Sequence, residues 1–265
     1  MPWTRRYEEA EPQRVNRWLA QSGVCSRREA EALIAEGLVS IDGARVEDPG
    51  RKIERGQTLV LADRAQQKLA GHFTAVLNKP VGYVSGQPEP GQTPAARLLT
   101  AKNLMGDGEA PGPKASLAPL GRLDMDSRGL LILSEDGVLA KAIIGPDSDL
   151  EKEYRVRVAG PLDEKKMGLL RYGLQLDGRQ LKRARVDVIG DQRLCFVLKE
   201  GRNRQIRRMC DLVGLKVVDL LRVRIGTLRL GDLPEGRWRP LTPAEREALV
   251  APPGPLRGAR NTPER

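Results

Sequence analysis

Aromatic side chains are scarce in this chain of 265 residues: Phe, Trp and Tyr together make up only 3% of it. A surface that stacks a run of single-stranded bases needs several aromatic rings. The composition therefore argues against a protein built around such a surface.

Histidine and cysteine are also rare. The chain has one histidine, His72, and three widely spaced cysteines, Cys25, Cys195 and Cys210, none of them in a C-x-x-C pair. No zinc site can be assembled from these residues at ligand spacing. If the protein is an enzyme, its chemistry therefore has to rest on a carboxylate.

Long hydrophobic runs are absent as well. No apolar run approaches the roughly 20 residues of a membrane-spanning helix, and residues 1–6 have no apolar core behind them that would make a signal peptide. The odd number of cysteines fits reduced thiols, buried as small apolar side chains. We therefore expect a soluble, cytoplasmic protein with no membrane partner.

Positive charge is abundant, with a formal net charge of +10 and a pI of about 9.8. Residues 151–240 hold 22 Lys and Arg against 12 Asp and Glu, a surplus of 10 that equals the whole net charge. The basic field therefore belongs to the C-terminal half, and it favours an anionic partner.

Two short helices are predicted near the start of the chain. Val15, Trp18 and Leu19 have the i, i+3, i+4 spacing of an amphipathic helix. Ser26 and Glu29 form a capping box that opens a second helix. A short sheet follows, because the pair Asp42-Gly43 between apolar runs is typical of a tight hairpin turn. We predict a compact module over residues 14–62.

Three cations of this module are candidates for RNA contact. Arg17, Arg27 and Arg28 lie at the predicted helix termini, where they could meet a phosphate backbone. A solvated charged surface is the alternative. Residues 63–72 are charged, rich in Gln and without apolar period, and are predicted to be a linker.

A larger domain is predicted over residues 73–250. Its strands outnumber its helices and have short connections, which favours an α+β fold with a mixed or antiparallel sheet. Residues 86–112, dense in Gly and Pro, predict an exposed, mobile loop. Residues 251–265 predict a disordered tail.

The ten residues 121–130 are the most informative segment. Asp124 stands one short turn before an apolar strand, a place that holds a catalytic carboxylate rigidly. Arg122 would lie on the same side of an extended segment and keep the acid ionised. The alternative is a turn aspartate that caps local amides, which suits Asp126 and Asp136 better.

A second cluster places five cations within ten residues, namely Lys199, Arg202, Arg204, Arg207 and Arg208. A strand that turns at Gly201 into a helix would spread these side chains along a nucleic-acid backbone. A solvated face is the alternative, but the segment lies in the half that holds the whole charge surplus. Nucleic-acid contact is therefore favoured.

Tyr154 stands at the head of a strand that alternates between apolar and polar residues. Its ordinary role is core packing with the hydroxyl at the surface. Its alternative role is to stack on a base held in a pocket.

Together these segments resemble the RsuA-type family of rRNA pseudouridine synthases, over nearly the whole chain. The resemblance is carried by Leu77 to Ser85, Gly121 to Leu130, Glu151 to Tyr154 and Gly201 to Met209, in that order. The N-terminal module resembles the αL RNA-binding motif of ribosomal proteins. Asn203-Arg204 and Cys210 are most similar to the branch that acts on large-subunit rRNA, especially the F type.

The resemblance implies a role for each site residue. Asp124 would act on the target uridine, either at the sugar or by taking a sugar proton. Tyr154 would stack on the flipped base and help to remove the ring proton, and Ile206 would pack beneath the uracil. Arg207 would pair with Asp124. Substrate binding would fall to Arg122, Asn203, Arg204, Ile206 and Arg208.

The resemblance also implies that no metal and no cofactor is needed, and that the partner is rRNA or a ribosomal particle. Nothing in the sequence suggests an obligate dimer, so a monomer is expected. One rival hypothesis is a non-catalytic RNA-binding assembly factor. The other is a nuclease in which Asp124, Asp126 and Asp136 would converge on a metal ion.

Overall fold

A computed structural model describes residues 2–113 and 115–251 of the chain. These residues form a small N-terminal module and a larger domain built on a mixed sheet. The predicted tail, residues 251–265, lies outside the described part except for its first residue. None of the described helices is long and apolar enough to cross a membrane.

The N-terminal module contains short strands and helices. Its strands are β1 (Trp3–Arg6), β2 (Gln13–Arg14), β3 (Val39–Ile41), β4 (Ala44–Arg45), β5 (Lys52–Ile53) and β6 (Thr58–Leu61). Its helices are α1 (Val15–Gln21), α2 (Arg27–Ala35) and α3 (Asp63–Ala70). The strands pair in the order β1-β6-β3-β4, and β2 pairs with β5.

The elements predicted for this module form as expected. The apolar stripe of α1 is buried, and α2 begins at the reciprocal capping box of Ser26 and Glu29. The hairpin between β3 and β4 turns through Asp42 and Gly43, whose φ angles are 49° and 83°. Two successive positive φ values are the requirement that the Asp-Gly pair satisfies.

Two parts of the module differ from the prediction. Residues 63–72 are not an irregular linker, since most of them form helix α3, whose Ala65 is fully buried and whose Leu69 packs on the module's core. A single buried turn of a polar helix shows too little apolar period to stand out in the sequence. The charged leader also contains a strand, β1, which pairs with β6 along the sheet edge.

The larger domain holds the remaining elements. Its strands are β7 (Thr74–Lys79), β8 (Tyr83–Val84), β9 (Thr93–Pro94), β10 (Ala118–Pro119), β11 (Arg128–Ser134), β12 (Lys152–Ala159), β13 (Gln175–Leu176), β14 (Arg179–Gln180), β15 (Arg185–Gly190), β16 (Arg193–Leu198), β17 (Lys216–Ile225), β18 (Leu228–Arg229) and β19 (Trp238–Pro240). Its helices are α4 (Gly137–Ile144), α5 (Glu164–Arg171), α6 (Gln205–Leu212) and α7 (Pro243–Val250).

The main sheet runs in the order β15-β16-β12-β17-β11-β7-β19. The pairing of β11 with β17 is parallel, and the other pairs along this path are antiparallel. The predicted α+β fold with a mixed sheet is confirmed. Both faces of β11 are buried, because Leu131 packs in one core cluster and Leu130 and Ile132 pack in another that includes residues of α4 and α7.

The Gly- and Pro-rich segment 86–112 is exposed over most of its length, as predicted, but two of its residues anchor it to the core. Ala95 and Leu99 are buried in the main core. The indole nitrogen of Trp238 donates to the carbonyl of Thr100 at 2.9 Å, and the Met105 amide donates to the carbonyl of Trp238 at 2.8 Å. The burial of Ala95 and Leu99, with the two hydrogen bonds to Trp238, is enough to order this part of the segment despite its Gly- and Pro-rich composition.

The two units meet where the start of α2 faces the start of α4. The Glu29 carboxylate accepts a hydrogen bond from the Gly137 amide at 3.0 Å and lies 3.3 Å from Nδ1 of His72. A Cβ atom at Gly137 would overlap the side chain of Ser26. The Glu29 carboxylate therefore joins the module to the larger domain, and the single histidine lies beside this contact.

Gly129 is required where β11 approaches β17, and its replacement is expected to destabilise the fold. Its φ is +106°, and a Cβ atom there would overlap the carbonyl oxygen of Arg222 and lie 2.8 Å from the Arg222 amide nitrogen. We expect Gly129→Ala to lower the free energy of unfolding by at least about 3 kcal/mol, measured by urea denaturation.

The matched control is Gly168→Ala. Gly168 is exposed in α5, has open space around it and lacks a positive φ, so alanine there should stabilise the helix by up to about 1 kcal/mol. Equal effects of the two substitutions would contradict this view of the strand contact.

Candidate active site

A cavity of about 670 Å³ opens in the larger domain. It lies between the loop before β11, the start of β12, the segment leading into α6, and β17. Of the site residues predicted in this domain, the cavity is lined by Arg122, Asp124, Tyr154, Asn203, Arg204, Ile206 and Arg207. The fold thus brings together segments that lie about eighty residues apart in the sequence.

The loop that carries Asp124 is held from both sides. The Ser127 amide donates to the carbonyl of Asp124 at 3.1 Å, which closes a tight turn just before β11. The buried Ser85 hydroxyl donates to the carbonyl of Leu123 at 2.7 Å, and the Leu123 amide donates back to that hydroxyl at 3.0 Å. The backbone on each side of Asp124 is therefore fixed.

The charged partner of Asp124 is Arg204. A guanidinium nitrogen of Arg204 lies 3.6 Å from the Asp124 carboxylate, whose side chain is 30% exposed. The predicted pairing of Arg207 with Asp124 is not found, because Arg207 lies 3.3 Å from the Asp126 carboxylate and donates to the Asp126 carbonyl at 2.7 Å. Arg122 is exposed, and it forms no ion pair with Asp124 in the described structure.

Asp126 is a site residue that the sequence analysis assigned to an ordinary turn. Arg204 donates two hydrogen bonds to its carboxylate, at 3.2 and 3.0 Å. Burial opposes ionisation here, but the hydrogen bonds from Arg204 and the charges of Arg204 and Arg207 outweigh it. They hold the pKa of Asp126 below its ordinary value.

Arg204 occupies an unusual backbone conformation at the start of α6. Its φ of 48° and ψ of 33° are left-handed, a region that non-glycine residues rarely adopt. The turn is secured by the Gln205 side chain, whose Oε1 accepts from the Arg202 amide at 3.0 Å. This turn directs the Arg204 side chain to Asp124 and Asp126.

An aromatic and an aliphatic side chain form apolar walls of the cavity. Tyr154 of β12 is 9% exposed, and Ile206 of the first turn of α6 is 4% exposed. A strand irregularity between Glu153 and Tyr154 interrupts the pairing of β12 with β17 beside the cavity. Such bulges re-aim side chains next to functional sites.

Arg208 does not line the cavity. Its guanidinium makes a bidentate contact with Asp177, in the turn between β13 and β14, at 2.6 and 3.0 Å. Helical spacing explains this, because adjacent helix residues differ by about 100° in direction and Arg207 already faces Asp126. The structure thus places Arg208 outside the cavity, and its predicted contact with the substrate stays a prediction.

The three candidate arginines of the N-terminal module are accessible. Arg17 lies on α1, and Arg27 and Arg28 lie in the first turn of α2, all with exposed side chains. None of the three forms an ion pair within the described residues. They present unneutralised positive charge to solvent.

Three buried cations near the cavity escaped the sequence analysis: Lys79, Lys152 and Arg222. Burial lowers the pKa of both lysines to about 8. For Lys79 the nearby acids Asp124 and Asp126 oppose this effect, and for Lys152 repulsion from Arg222 adds to it. The alternation of β12 could have revealed Lys152, since it occupies the same buried face as Tyr154.

The acids of the site face guanidinium groups. Within the described residues there is no cluster of three His, Cys, Asp or Glu side chains that could hold a metal ion. Asp124 and Asp126 both contact Arg204, and Asp136 caps α4 and pairs with Arg246 at 2.6 Å. The three acids considered for a nuclease site therefore contact arginines: Asp124 and Asp126 share Arg204, and Asp136 pairs with Arg246. The arrangement offers one oriented carboxylate beside an aromatic wall.

Comparison with known proteins gives two family matches. A family model described as "RNA pseudouridylate synthase" matches residues 73–212, and one described as "S4 domain" matches residues 13–59. One solved structure, titled "Crystal structure of pseudouridylate synthase", is similar with a TM-score of 0.61 and 28% identity, and covers 89% of this chain and 99% of that one.

Several curated proteins are similar over most of the chain. An "Uncharacterized RNA pseudouridine synthase" of Aquifex aeolicus (strain VF5) is 34% identical, covering 88% of this chain and 91% of its own. "Dual-specificity RNA pseudouridine synthase RluF" of Escherichia coli (strain K12) is 34% identical, covering 88% and 76%. "Putative ribosomal large subunit pseudouridine synthase SVR1, chloroplastic" of Arabidopsis thaliana is 33% identical, covering 90% and 61%.

The buried lysines predict that the free protein becomes more stable between pH 8 and 9. Their folded pKa of about 8 lies below the ordinary 10.5, so above pH 8 the unfolded chain binds protons that the folded chain has released. Stability therefore rises with pH, by about 1 kcal/mol per lysine over this interval.

The measurement is urea unfolding at pH 8 and pH 9, with Lys79→Met expected to reduce the increase by about 1 kcal/mol. Burial raises the pKa of Cys25 and Cys210 from 9.0 to about 12, so each of these thiols offsets the increase by about 0.3 kcal/mol over this interval and by more at higher pH, which is therefore avoided. An unchanged slope in Lys79→Met would show that Lys79 does not titrate in this range.

Proposed function

Because the chain belongs to the RNA pseudouridylate synthase family and carries an S4 domain, we propose that it converts one specific uridine of rRNA to pseudouridine. The family resemblance of the sequence motifs is confirmed by these matches. Relatives named for the large ribosomal subunit and RluF favour a target in large-subunit rRNA. The reaction would use the carboxylate of Asp124 and no cofactor.

The observation that carries this proposal is the placement of Asp124. Its backbone is fixed by the Ser85 and Ser127 contacts, and its carboxylate is paired with Arg204 at the edge of a cavity walled by Tyr154 and Ile206. The carboxylate is therefore held in one position, as a nucleophile or a base beside the substrate must be. The cavity gives a base a place to enter beside it.

The reaction is an isomerisation, so no atoms are gained or lost. The target nucleotide first leaves its stack, which costs a few kcal/mol. Asp124 then attacks the sugar or removes a sugar proton, and the glycosidic C–N bond breaks. The uracil turns, and its ring carbon bonds to the sugar while the bond from Asp124 to the sugar breaks or the abstracted sugar proton is returned. A base then takes the proton from that ring carbon, and the ring nitrogen released from the sugar gains a proton, so the product has the same atoms as the substrate.

Two side chains would hold the base during this rotation. The ring of Tyr154 would stack on the flipped uracil, and Ile206 would pack against its other side. Apolar walls tolerate rotation better than a fixed hydrogen-bond pattern does, since they carry no directional partner. Arg122 and Asn203 line the same cavity and would contact the flanking RNA.

RNA capture would be shared between the two units. The cations of the segment leading into α6 surround the cavity, and Arg17, Arg27 and Arg28 add free charge on the S4 domain. Contacts with phosphates supply affinity that does not depend on sequence. We propose that the partner is rRNA or a ribosomal particle in the cytoplasm, engaged by a monomer.

The replacement Asp124→Asn should abolish the reaction while RNA binding is kept. The amide has the shape of the acid but cannot act as nucleophile or base, so we expect at least a 10³-fold slower single turnover. Pseudouridine would be mapped in unmodified rRNA and in ribosome-assembly intermediates, with EDTA present.

Asp126→Asn serves as the matched control and should slow the reaction far less, because Asp126 only positions Arg204 and Arg207. Activity of Asp124→Asn near that of the unaltered protein would overturn the assignment. Cleavage of the RNA in the presence of Mg²⁺ that stops when EDTA is added would favour a metal-dependent nuclease, and tight binding without any product would favour the assembly factor.

Neutralising the S4-domain cations should weaken RNA capture more than chemistry. The triple variant Arg17→Gln, Arg27→Gln, Arg28→Gln is expected to lower affinity and to flatten the dependence of log K on log salt by about 0.7–0.9 per lost phosphate contact. Single-turnover rates at saturating RNA should stay within about twofold.

The control removes three exposed cations of the larger domain, Lys165, Arg193 and Lys216, by substitution with Gln. Equal losses of affinity in the two triple variants would mean that overall charge, and not the S4 face, captures the RNA.

A further inference from the structure

Two of the buried cations, Lys152 and Arg222, line the cavity itself. Lys152 is 7% exposed and Arg222 is 1% exposed. Burying a charge without an opposite charge is costly, and proteins rarely retain such groups without a use for them. The two side chains therefore call for an anion that the protein does not supply.

Lys152 occupies a position that would ordinarily be apolar. On the buried face of β12 it is followed by Tyr154, Val156 and Val158. Its ammonium group has three donors, and the Nζ atom donates to the carbonyl of Leu150 at 3.3 Å. A neutral carbonyl at that distance does not balance the charge.

Arg222 lies beside Lys152 on the neighbouring strand. It is the cross-strand partner of Tyr154, and its charge is felt at Lys152. Its Nε and Nη2 donate to the carbonyls of Leu130 and Gly121, both at 2.8 Å. These bonds fix the guanidinium but, again, the acceptors are neutral.

No carboxylate forms an ion pair with Lys152 or Arg222 among the residues that the structure describes. Other partly buried arginines of this sheet are neutralised, such as Arg128 by Asp219 at 2.7 Å and Arg224 by Glu153 at 2.8 Å. Arg128 and Arg224 are thus paired with acids, whereas Lys152 and Arg222 face the cavity without one.

This part of the cavity is reachable from solvent. It is bordered by Ile144 and Pro146, both exposed. Gly121 separates Ile144 from Arg222, since a Cβ atom there would lie 3.6 Å from both Cγ2 of Ile144 and Nη1 of Arg222. A chain entering the cavity could therefore place a backbone group here while its base reaches Tyr154.

We propose that Lys152 and Arg222 form a subsite that binds a backbone phosphate of the RNA, at the target nucleotide or at the nucleotide next to it. The inference rests on the proposed function, because it takes RNA as the ligand. Phosphates are the formal anions of RNA, whereas uracil is neutral before the reaction. Holding this phosphate would fix the sugar relative to Asp124 without taking part in any bond change.

The test uses RNA substrates in which one phosphate near the target uridine is replaced by an uncharged methylphosphonate. With the unaltered protein, the linkage that occupies the subsite should weaken binding by about 10- to 100-fold when neutralised, as expected for a lost charged contact. Lys152→Met should weaken binding of the native RNA to a similar degree and show no further loss with that methylphosphonate.

Two variants complete the set. Lys152→Arg keeps the charge and should restore most of the affinity and the sensitivity to the methylphosphonate. Lys199→Met, the same substitution at an exposed lysine of the same cavity, should keep the selective loss at that linkage. If every methylphosphonate weakened RNA binding by Lys152→Met as much as it weakens binding by the unaltered protein, the proposed subsite would be overturned.

A stability measurement separates this role from a structural one. If Lys152 is retained for a ligand, the free Lys152→Met protein should melt at the same temperature as the unaltered chain or higher, because an uncompensated buried charge is removed. A clearly lower melting temperature would show that the lysine serves the fold.

The outcomes also separate the subsite from the proposed function. Binding of the modified RNAs can be measured without turnover, so the subsite stands or falls even if no pseudouridine forms. A slower reaction of Lys152→Met with unchanged methylphosphonate sensitivity would overturn the phosphate subsite, assign the charge to the departing uracil and leave the proposed function intact.

Discussion

The close approach of β11 and β17 at Gly129 is the contact on which the rest of the site depends. It forms the parallel pair within a mainly antiparallel sheet, and it has room for no side chain at Gly129. Through it the loop of Asp124 lies beside Arg222 of β17. Arg222 is in turn the cross-strand partner of Tyr154 on β12. A carboxylate, a guanidinium and an aromatic ring thereby meet at the cavity.

The charged residues of the cavity form two groups beside this contact, called here the first and second zones. The first holds Asp124 and Asp126 against Arg204 and Arg207, and the charges there are balanced within the protein. The second holds Lys152 and Arg222, which donate to neutral backbone carbonyls and form no ion pair with an acid in the described structure. A substrate that brings one phosphate and one neutral base would complete the second zone and fill the space beside the first.

Local patterns were sufficient for most elements. Capping at Ser26, the turn at Asp42-Gly43 and the alternation of β12 act through neighbours within a few residues, so they can be read along the chain. The same argument fails for α3 and for segment 86–112. Their order comes from Ala65, Ala95 and Leu99 packing against distant parts of the core, and two or three buried residues leave no period in the sequence.

By itself the sequence determined the candidate carboxylate, the tyrosine, the basic segment before α6 and the order of the motifs, because each is marked by residue type and spacing. Tertiary structure alone decided which arginine contacts Asp124, that Arg208 turns away to Asp177, and that Lys152 and Arg222 are buried without an acid. The ion pairs of Arg204 and Arg208 join segments that are distant in the sequence. Their partners depend on the left-handed turn at Arg204 and on strand register, and neither can be read from the identity of the charged residues.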